Sequence, residues 1–177
     1  MQAQKNSMYD NTKPSQFPEV ISILNTPIPK IKVIIRKRPL NQKEISGSEF
    51  DIISIQNNSR VIVRGQKMEF NFSKYIDRNE FIFDNAYDEL SNNEEIYMKN
   101  IRPMIYNAFY YKSNITCLAF GQSGSGKTFT MMGDPQNENQ NDSSIGSKNN
   151  GMYLMAGYDI FLILKYENKF KGFKILI

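Results

Sequence analysis

Apolar and polar residues alternate over short distances in the first half of the chain, a pattern typical of strands. In residues 31–35 the apolar side chains occupy both faces of such a strand, which predicts burial on both sides. The basic run 36–38 and Pro39 follow at once. Since proline cannot donate a hydrogen bond to a neighbouring strand, we predict that the strand ends there.

Two further β-rich runs, residues 51–55 and 60–64, flank the sequence Asn-Asn-Ser at 57–59. Asparagine tolerates the left-handed conformation that tight turns require, so these runs are predicted to form a hairpin. Residues 69–75 are predicted to form a second arm, and residues 81–83 are predicted to form another short strand.

A helix is predicted to begin behind Ser91, because Ser91 and Glu94 have the spacing of a capping box, in which each side chain accepts a hydrogen bond from the other residue's amide. Apolar residues then recur at helical spacing from Tyr97 to Ala108. Pro103 lies inside this pattern and is predicted to kink the helix, since it has no amide hydrogen.

The second half of the chain predicts a strand followed by two helices. Residues 115–120 form a short apolar run, which predicts a central strand with Cys117 buried in the core. Residues 127–132 continue as a helix from a glycine-rich loop. A further helix, residues 152–164, is predicted to carry its apolar face on Tyr153, Ala156, Ile160, Ile163 and Leu164.

Polar segments separate these elements. Residues 1–29 are polar and rich in proline, and are predicted to be a flexible leader. Residues 134–150 form an asparagine-rich insertion, and residues 174–177 look like the start of another strand. We therefore predict an α/β domain over residues 30–177, with a twisted central β-sheet, helices on both faces, and a phosphate site at the carboxyl end of a strand.

Composition removes several classes of function. Histidine is absent, which excludes histidine-based triads and imidazole metal sites. One cysteine among 177 residues excludes an internal disulfide, and no apolar run approaches the roughly 20 residues that span a membrane. The net charge is +4. A basic cluster without interleaved aromatic residues argues against nucleic-acid binding; its members are Lys30, Lys32, Arg36, Lys37 and Arg38.

The strongest chemical signal is the run from Gly121 to Thr128, which fits the phosphate-binding pattern G-x-x-x-x-G-K-[ST]. Its glycines allow positive φ angles and close approach of the backbone to a phosphate. The loop amides then form an anion-binding nest, Lys127 adds a charge for the β- and γ-phosphates, and Thr128 offers its hydroxyl to Mg²⁺. A flexible Gly/Ser turn would match by chance, but the predicted strand before it and helix after it are the context that the motif requires.

At residues 119–133 this loop resembles the kinesin form of the motif, and Arg36-Lys37-Arg38-Pro39-Leu40-Asn41 is similar to the kinesin strand-end segment that packs against adenine. The resemblance runs from about residue 31 to the end and covers the first half of a kinesin motor domain. Several segments resemble the kinesin-13 class, the internal-motor, microtubule-depolymerising branch: the run 36–41, Phe83-Asp84, Ile101-Arg102-Pro103, Gly151-Met152-Tyr153 and residues 159–162.

This resemblance implies an ATPase that binds ATP or ADP with Mg²⁺, works on microtubules and belongs to the cytoplasmic cytoskeleton. Lys127 and Thr128 take the catalytic roles, with Thr128 at the metal. The nucleotide-binding residues that it implies are Arg36, Arg38, Pro39, Gly121, Gln122, Ser123, Gly124, Ser125, Gly126, Lys127, Thr128 and Phe129. Two questions stay open. Residues 36–38 either contact adenine or are solvated charges at a strand end. Phe129, where many kinesins have histidine, either stacks on adenine or fills the core.

Two departures from the family pattern bear on the ATPase and depolymerase activities that the resemblance implies. Where the depolymerising class has a Lys-Val-Asp finger, the matching positions are Glu69, Phe70 and Asn71, which reverses a charge. The two switch motifs that sense the γ-phosphate lie beyond residue 177 in the family, so this chain alone is expected to hydrolyse ATP near the background rate. The rivals are a non-catalytic nucleotide-binding fragment or regulatory pseudo-motor, and a small kinase, for which the sequence offers no acceptor site.

Overall fold

The structure is a computed structural model that describes residues 29–68, 74–134 and 150–166, together with residues 170 and 172. These residues fall into two compact units. The first, which we call the strand unit, is Pro29–Ser91. The second, the helical unit, comprises the described residues from Asn92 onward.

The strand unit contains two small sheets. Strand β1, Ile34–Arg36, pairs in parallel with β5, Asn85–Tyr87, in the register Ile34 to Asn85. A three-stranded antiparallel sheet has the order β2-β3-β4, and its strands are Ile53–Gln56, Arg60–Met68 and Lys74–Ile82. Among the described residues of the strand unit, the buried apolar ones are Val61, Ile62, Ala86 and Tyr87.

The predicted hairpin is confirmed between β2 and β3. Asn57 and Asn58 adopt φ angles of 52° and 53°, and the Ser59 amide donates to the Gln56 carbonyl over 3.3 Å. Asparagine tolerates this left-handed backbone conformation, so two adjacent asparagines allowed the turn to be predicted. The predicted second arm, residues 69–75, lies within the described residues only at 74 and 75, where β4 begins. Because β4 continues to Ile82, residues 81 and 82 are strand as predicted, but they do not form a separate one.

The first predicted strand is shorter and more exposed than expected. β1 spans Ile34–Arg36, while Ile31 and Val33 are 79% and 46% exposed. Burial on both sides is therefore wrong for residues 31–33. The physical reason is that β1 has β5 as its one ladder partner among the described residues, and the Val33 amide bonds instead to the Asp84 carboxylate at 2.7 Å.

A short helix that the hydrophobic pattern did not predict follows Pro39. Helix α1, Gln42–Ser46, begins with a capping box in which Asn41 accepts from the Glu44 amide at 3.0 Å and Glu44 accepts from the Asn41 amide at 2.7 Å. Its residues are all exposed or half-buried, so it has no apolar face to detect. The signal that it did leave in the sequence is the spacing Asn41-x-x-Glu44.

In the helical unit, the predicted capping box is displaced by one residue. Helix α2, Asn93–Ile96, is capped by Asn92, whose side chain accepts from the Glu95 amide at 2.8 Å. The prediction that Ser91 and Glu94 form the box is therefore wrong. The Ser91 hydroxyl is already used, because it donates to the Asp88 carboxylate at 3.1 Å.

Where Pro103 is predicted to kink the helix, the structure has a π-helical interruption in the residues before it. A π-helical segment, Tyr97–Ile101, separates α2 from helix α3, Arg102–Tyr111, and Pro103 lies in the first turn of α3. The Arg102 amide donates back to the Tyr97 carbonyl, five residues earlier. Because proline has no amide to donate and its ring crowds the preceding turn, the wider π turn accommodates it.

Helix α4, Lys127–Met132, has the predicted bounds, and helix α5, Met152–Tyr166, extends two residues past its predicted end. Of the predicted buried face of α5, Ile163 is confirmed, but the other buried residues are Met152, Met155 and Asp159, which the prediction did not include. Tyr153 is 63% exposed. The two helices approach closely at buried Gly151, where a Cβ atom would lie 2.2 Å from the carbonyl carbon of Met132.

A buried polar cluster joins α5 to the preceding helical segments. Asp159 Oδ2 lies 3.2 Å from Arg102 Nε and accepts from the Tyr97 hydroxyl at 2.6 Å. Asp159 and Tyr97 are 1% and 0% exposed. Besides Tyr97, the buried apolar residues among those described in this unit are Ile96, Ile105, Tyr106, Met152, Met155, Ile163 and Phe170.

The predicted central strand at residues 115–120 is wrong. Residues 113–120 have no regular structure, with Leu118 84% and Phe120 101% exposed, and Cys117 is exposed rather than buried. A central strand requires a neighbour to accept and donate backbone hydrogen bonds. No strand pairs with this segment in the part of the chain that the structure describes.

Some predictions lie outside the described residues: the leader up to residue 28, the tip at Glu69 to Asn71, the insertion at 135–149 and the final strand at 174–177. Among the helices that are described, none is long and apolar enough to cross a membrane.

Candidate functional site

The loop between residues 121 and 126 has the backbone that its glycines predict. Gly121, Gly124 and Gly126 have φ angles of 153°, 78° and 92°, which residues with a Cβ rarely adopt. At Gly121 the constraint is also steric, because a Cβ atom there would lie 2.5 Å from Ser125 Oγ. The curvature of the loop therefore depends on glycine at these positions.

Lys127, the first residue of α4, folds back over this loop. Its Nζ donates to the carbonyls of Gly121 and Gln122, both at 2.8 Å, and the Ser125 amide donates to the Gln122 carbonyl at 3.2 Å. The ammonium is thus held at the mouth of the loop by two neutral acceptors. Without a carboxylate among these contacts, its positive charge is left available to an anion.

Two hydrogen bonds hold the first part of α4 in place, one to the end of the loop and one to helix α2. The Thr130 hydroxyl donates to the Gly126 carbonyl at 3.1 Å, and the Asn93 amide group donates to the Phe129 carbonyl at 3.0 Å. Asn93 is completely buried, and the sequence analysis missed it. Its position in the first turn of a capped helix, where a polar residue is ordinarily exposed, gave no signal of this contact.

The residues present fit a triphosphate with Mg²⁺. The loop offers main-chain amides, three glycines without Cβ atoms, and one ammonium, which together suit a polyphosphate. Thr128 is exposed and its hydroxyl suits a metal that is coordinated mainly by phosphate oxygens and water. Clusters of three acidic, cysteine or histidine side chains able to hold a metal alone are absent from the described residues.

The residues predicted to line adenine lie in the strand unit, whereas the phosphate loop lies in the helical unit. Arg36 is half-buried, which lowers the pKa of its guanidinium, and it donates to the Ser91 carbonyl at 3.4 Å. Arg38 makes a two-pronged ion pair with Glu44, and Pro39 is exposed. That these residues and the loop bind one nucleotide stays a prediction, as do the roles of Gln122, Ser123 and Phe129.

The basic run 36–38 is not a set of freely solvated charges. Lys37 pairs with Asp51 and, at 2.8 Å, with Glu89, and its own side chain is only 10% exposed. Burial opposes the charge on Lys37, but hydrogen bonds to these two carboxylates raise the pKa of its ammonium overall. Acidic partners that are distant in sequence therefore neutralise Lys37, which the sequence alone could not show.

The Arg38–Glu44 pair makes a testable prediction about acidity. Hydrogen bonds from the Arg38 guanidinium, and then from the Asn41 amide, lower the pKa of the Glu44 carboxyl to about 2. Since the folded pKa lies below the ordinary value, the pair stabilises the fold above that ordinary value, and this contribution is lost as the pH falls through about 2. Carboxyl ¹³C NMR should show Glu44 titrating near 2, and Arg38→Ala should return it towards 4.5. Titration near 4.5 in the unchanged protein would contradict the pairing.

Comparisons with known proteins identify a family for the chain. A family model described as the kinesin motor domain matches residues 36–177. Among solved structures, the chain is similar to one described as a fast kinesin, with implications for ATPase mechanism and interactions with microtubules. The two sequences are 28% identical, the TM-score is 0.59, and the match covers 78% of this chain and 34% of that chain. The chain thus spans about a third of the length of that kinesin structure.

Proposed function

Since the chain belongs to the kinesin motor domain family, we propose that it forms the ATP-binding part of a microtubule motor or microtubule depolymerase. The predicted fold class is confirmed by this membership: an α/β fold of the P-loop NTPase type, with a sheet and flanking helices. In the intact motor, the proposed partner is the microtubule and the proposed location is the cytoplasmic cytoskeleton.

The observation that carries this proposal is the geometry of the phosphate loop. Three glycines with positive φ angles curve residues 121–126, and the Lys127 ammonium lies over the carbonyls of Gly121 and Gln122 at 2.8 Å. When a triphosphate binds, the ammonium exchanges these neutral acceptors for charged oxygens, which are stronger partners.

Each polar group of the loop has a separate task in the proposed site. The amides of residues 122–126 bind phosphate oxygens, for which the Ser125 amide leaves the Gln122 carbonyl. Lys127 neutralises charge between the β- and γ-phosphates, and Thr128 holds Mg²⁺ through its hydroxyl. When bound there, Mg²⁺ would supply positive charge that offsets the charge developing as the γ-phosphate is transferred. At the other end of the nucleotide we propose Arg36, Arg38 and Pro39 as adenine contacts, with Phe129 on the opposite side of the base.

The kinesin-13 class is a finer proposal, which rests on sequence alone. The segments that support it include Phe83-Asp84 and Gly151-Met152-Tyr153. Against depolymerase activity stands Glu69, which replaces the lysine of the class finger and reverses its charge. We propose that the hairpin nevertheless reaches towards tubulin. This predicts that substitutions at Glu69 to Asn71 change microtubule affinity in a co-sedimentation assay.

A second candidate is a nucleotide-binding chain without turnover of its own. It is favoured by the length of the match, because the chain spans 34% of the kinesin structure. Groups that position water and stabilise charge are worth on the order of 10³- to 10⁵-fold in nucleotide hydrolysis. We therefore propose that this chain alone binds ATP and hydrolyses it near the background rate.

Labelled ATP with and without microtubules tests both candidates. The protein should bind the nucleotide in the presence of Mg²⁺, and unlabelled ATP should displace it. Turnover by residues 1–177 should stay at the background level, whereas a longer chain that includes the remainder of the motor should show microtubule-stimulated turnover. Stimulated turnover by residues 1–177 would refute the second candidate, and absence of binding by either protein would refute the ATP-binding proposal itself.

A further inference from the structure

Asn93 occupies a position in the interior of the helical unit that an apolar residue would ordinarily fill. It is 0% exposed, and it lies about one turn before Ile96, which is 4% exposed, on the same side of α2. Burying an amide group costs free energy unless hydrogen bonds within the protein replace those to water. The interior position of Asn93 is therefore explained by what its side chain binds.

The Asn93 side chain binds helix α4 at the carbonyl of Phe129. Its Nδ2 donates to that carbonyl at 3.0 Å, and the same carbonyl accepts from the amide of Gly133, which caps the helix, at 3.0 Å. A carbonyl oxygen has two lone pairs, so the bond from Asn93 is added without breaking the one that closes α4. This bond joins residues 36 positions apart and couples α2 to α4.

Helix α4 depends on such contacts, because none of its six residues is buried. It lacks the buried apolar face that ordinarily fixes a helix on a domain. Asn93 holds it at Phe129, and buried Gly151 lies against its last residue, where a Cβ atom would lie 2.2 Å from the Met132 carbonyl carbon. Loss of the Asn93 bond therefore weakens the restraint on the tilt of α4.

The tilt of α4 sets where two groups proposed to bind the phosphates and Mg²⁺ lie. Lys127 and Thr128 are the two residues immediately before Phe129, and all three belong to α4. The Thr130 hydroxyl also joins α4 to the loop through the Gly126 carbonyl at 3.1 Å. Displacements on the order of 1 Å are enough to weaken a site that must align several groups at once. A contact at Phe129 thus acts on both side chains without touching a ligand.

We infer that Asn93 is a positioning residue, which holds α4 in the orientation that Lys127 and Thr128 need to bind a polyphosphate with Mg²⁺. This inference rests on the proposed function, in which the loop at 121–128 is the phosphate site. It assigns Asn93 no contact with the nucleotide or the metal. Every group that it involves lies in the helical unit, so it requires nothing of the strand unit or of the base.

A buried amide that only stabilises the fold would behave differently, and the chain offers a matched control. Asn100 is 1% exposed, and its Nδ2 donates to the Ile96 carbonyl at 2.9 Å, four residues earlier. Asn93 and Asn100 thus each bury a side-chain amide in the same unit, but only the acceptor of Asn93 belongs to α4. Alanine at either position removes a buried hydrogen bond, so both variants should unfold at a lower urea concentration than the unchanged protein.

The experiment measures displacement of a fluorescent ATP analogue by ATP and by inorganic tripolyphosphate, both with Mg²⁺. Tripolyphosphate supplies the phosphates without base or sugar. Asn93→Ala should lower both affinities by the same factor, about tenfold, which is typical for loss of a hydrogen bond that orients the binding groups of a site. Asn100→Ala should change neither affinity. Added to Lys127→Ala, Asn93→Ala should cause a smaller further loss, because one side chain that it orients is already gone.

Each outcome decides the inference. Unchanged affinities in Asn93→Ala, a loss for ATP alone, an equal loss in Asn100→Ala, or an undiminished further loss in the Lys127→Ala protein overturns it while the proposed site stands. Binding of ATP but not of tripolyphosphate by the unchanged protein overturns it too. Binding of neither probe by the unchanged protein refutes the proposed function, and the inference with it.

If Asn93→Ala does not fold, Asn93→Leu takes its place, because leucine has the same branched shape but no hydrogen-bond donor. Affinities equal to those of the unchanged protein in Asn93→Leu then overturn the inference, and the shared loss for ATP and tripolyphosphate supports it.

Discussion

Replacing Lys127 by alanine should weaken binding of ATP with Mg²⁺ by roughly 1.5–3 kcal/mol, the range for hydrogen bonds to charged groups. This corresponds to a loss of about tenfold to more than a hundredfold in affinity. The reason is that Lys127 supplies the ammonium at the mouth of the loop, where it contacts the Gly121 and Gln122 carbonyls at 2.8 Å. Titration with a fluorescent ATP analogue measures the change directly.

The control for this substitution is Lys165→Ala in the same unit. The Lys165 ammonium lies 5.0 Å from the centre of the Tyr166 ring, and it is not part of the loop. This variant loses the same charge and should bind ATP as the unchanged protein does. Comparable affinity in Lys127→Ala and in the unchanged protein would count against the assignment of the loop as the phosphate site.

Replacing Asp159 by alanine should destabilise the helical unit by about 3–5 kcal/mol, the cost of removing one partner from a buried ion pair. Arg102 Nε lies 3.2 Å from Asp159 Oδ2, and the two side chains are 11% and 2% exposed. The Tyr97 hydroxyl donates to the same oxygen at 2.6 Å. Burial raises the pKa of the Asp159 carboxyl, and the interactions with Arg102 and Tyr97 oppose this rise. The charged form of Asp159 therefore depends on these two partners.

Urea denaturation of Asp159→Ala, Arg102→Ala and the double variant tests this expectation. Each single variant should unfold at a lower urea concentration than the unchanged protein. The double variant should lose less free energy of unfolding than the sum of the two single losses, because the second substitution removes a buried charge whose partner is already gone. Glu94→Ala, at a half-buried position in α2, serves as a control and should change stability little. Additive losses, or a loss below about 1 kcal/mol for Asp159→Ala, would contradict the role of the pair.

Features fixed by local chemistry were predictable from the sequence. The turn at Asn57 and Asn58 follows from the tolerance of asparagine for positive φ angles, which both residues adopt. The helix Lys127–Met132 follows from the loop motif, and the disturbance near Pro103 follows from its missing amide. In each case the residue responsible lies within a few positions of the structure that it causes.

Features that depend on distant partners were not predictable. Residues 115–120 have the composition of a buried strand, but composition does not show which strand would pair with it, and Leu118 and Phe120 are exposed. For the same reason the buried position assigned to Cys117 was wrong. The pairing of Lys37 with Asp51 and Glu89 likewise joins residues that are far apart in sequence.

The buried face of α5 shows how one unusual residue shifts a helical assignment. The sequence analysis gave the inner face to apolar residues only and so included Tyr153, which is 63% exposed. The true face includes Asp159, which falls on the same helical period as Met152, Met155 and Ile163. Its partner, Arg102, precedes Pro103 in a different helix. An acid within an otherwise apolar helix was the available signal.

In the candidate site, too, features set by the local sequence were predictable, and contacts between distant residues were not. The positive φ angles at Gly121, Gly124 and Gly126 and the helix that begins at Lys127 were predictable, because the phosphate-binding pattern has glycine and lysine at fixed spacing; phosphate binding itself stays a prediction. The support of this helix by Asn93, which bonds the Phe129 carbonyl at 3.0 Å, was not predicted, since the contact joins residues 36 positions apart. The ion pair of Glu44 with Arg38 was also missed, although the spacing of the Glu44 capping box with Asn41 was present in the sequence.

A crystal structure of the protein with ADP and Mg²⁺ tests the central claim most directly. We expect the diphosphate within hydrogen-bonding distance of the amides between Gln122 and Gly126, with Lys127 released from the Gly121 and Gln122 carbonyls to reach it. Mg²⁺ should lie beside the Thr128 hydroxyl. Nucleotide density at another place, with Lys127 still bound to the two carbonyls, would contradict the account.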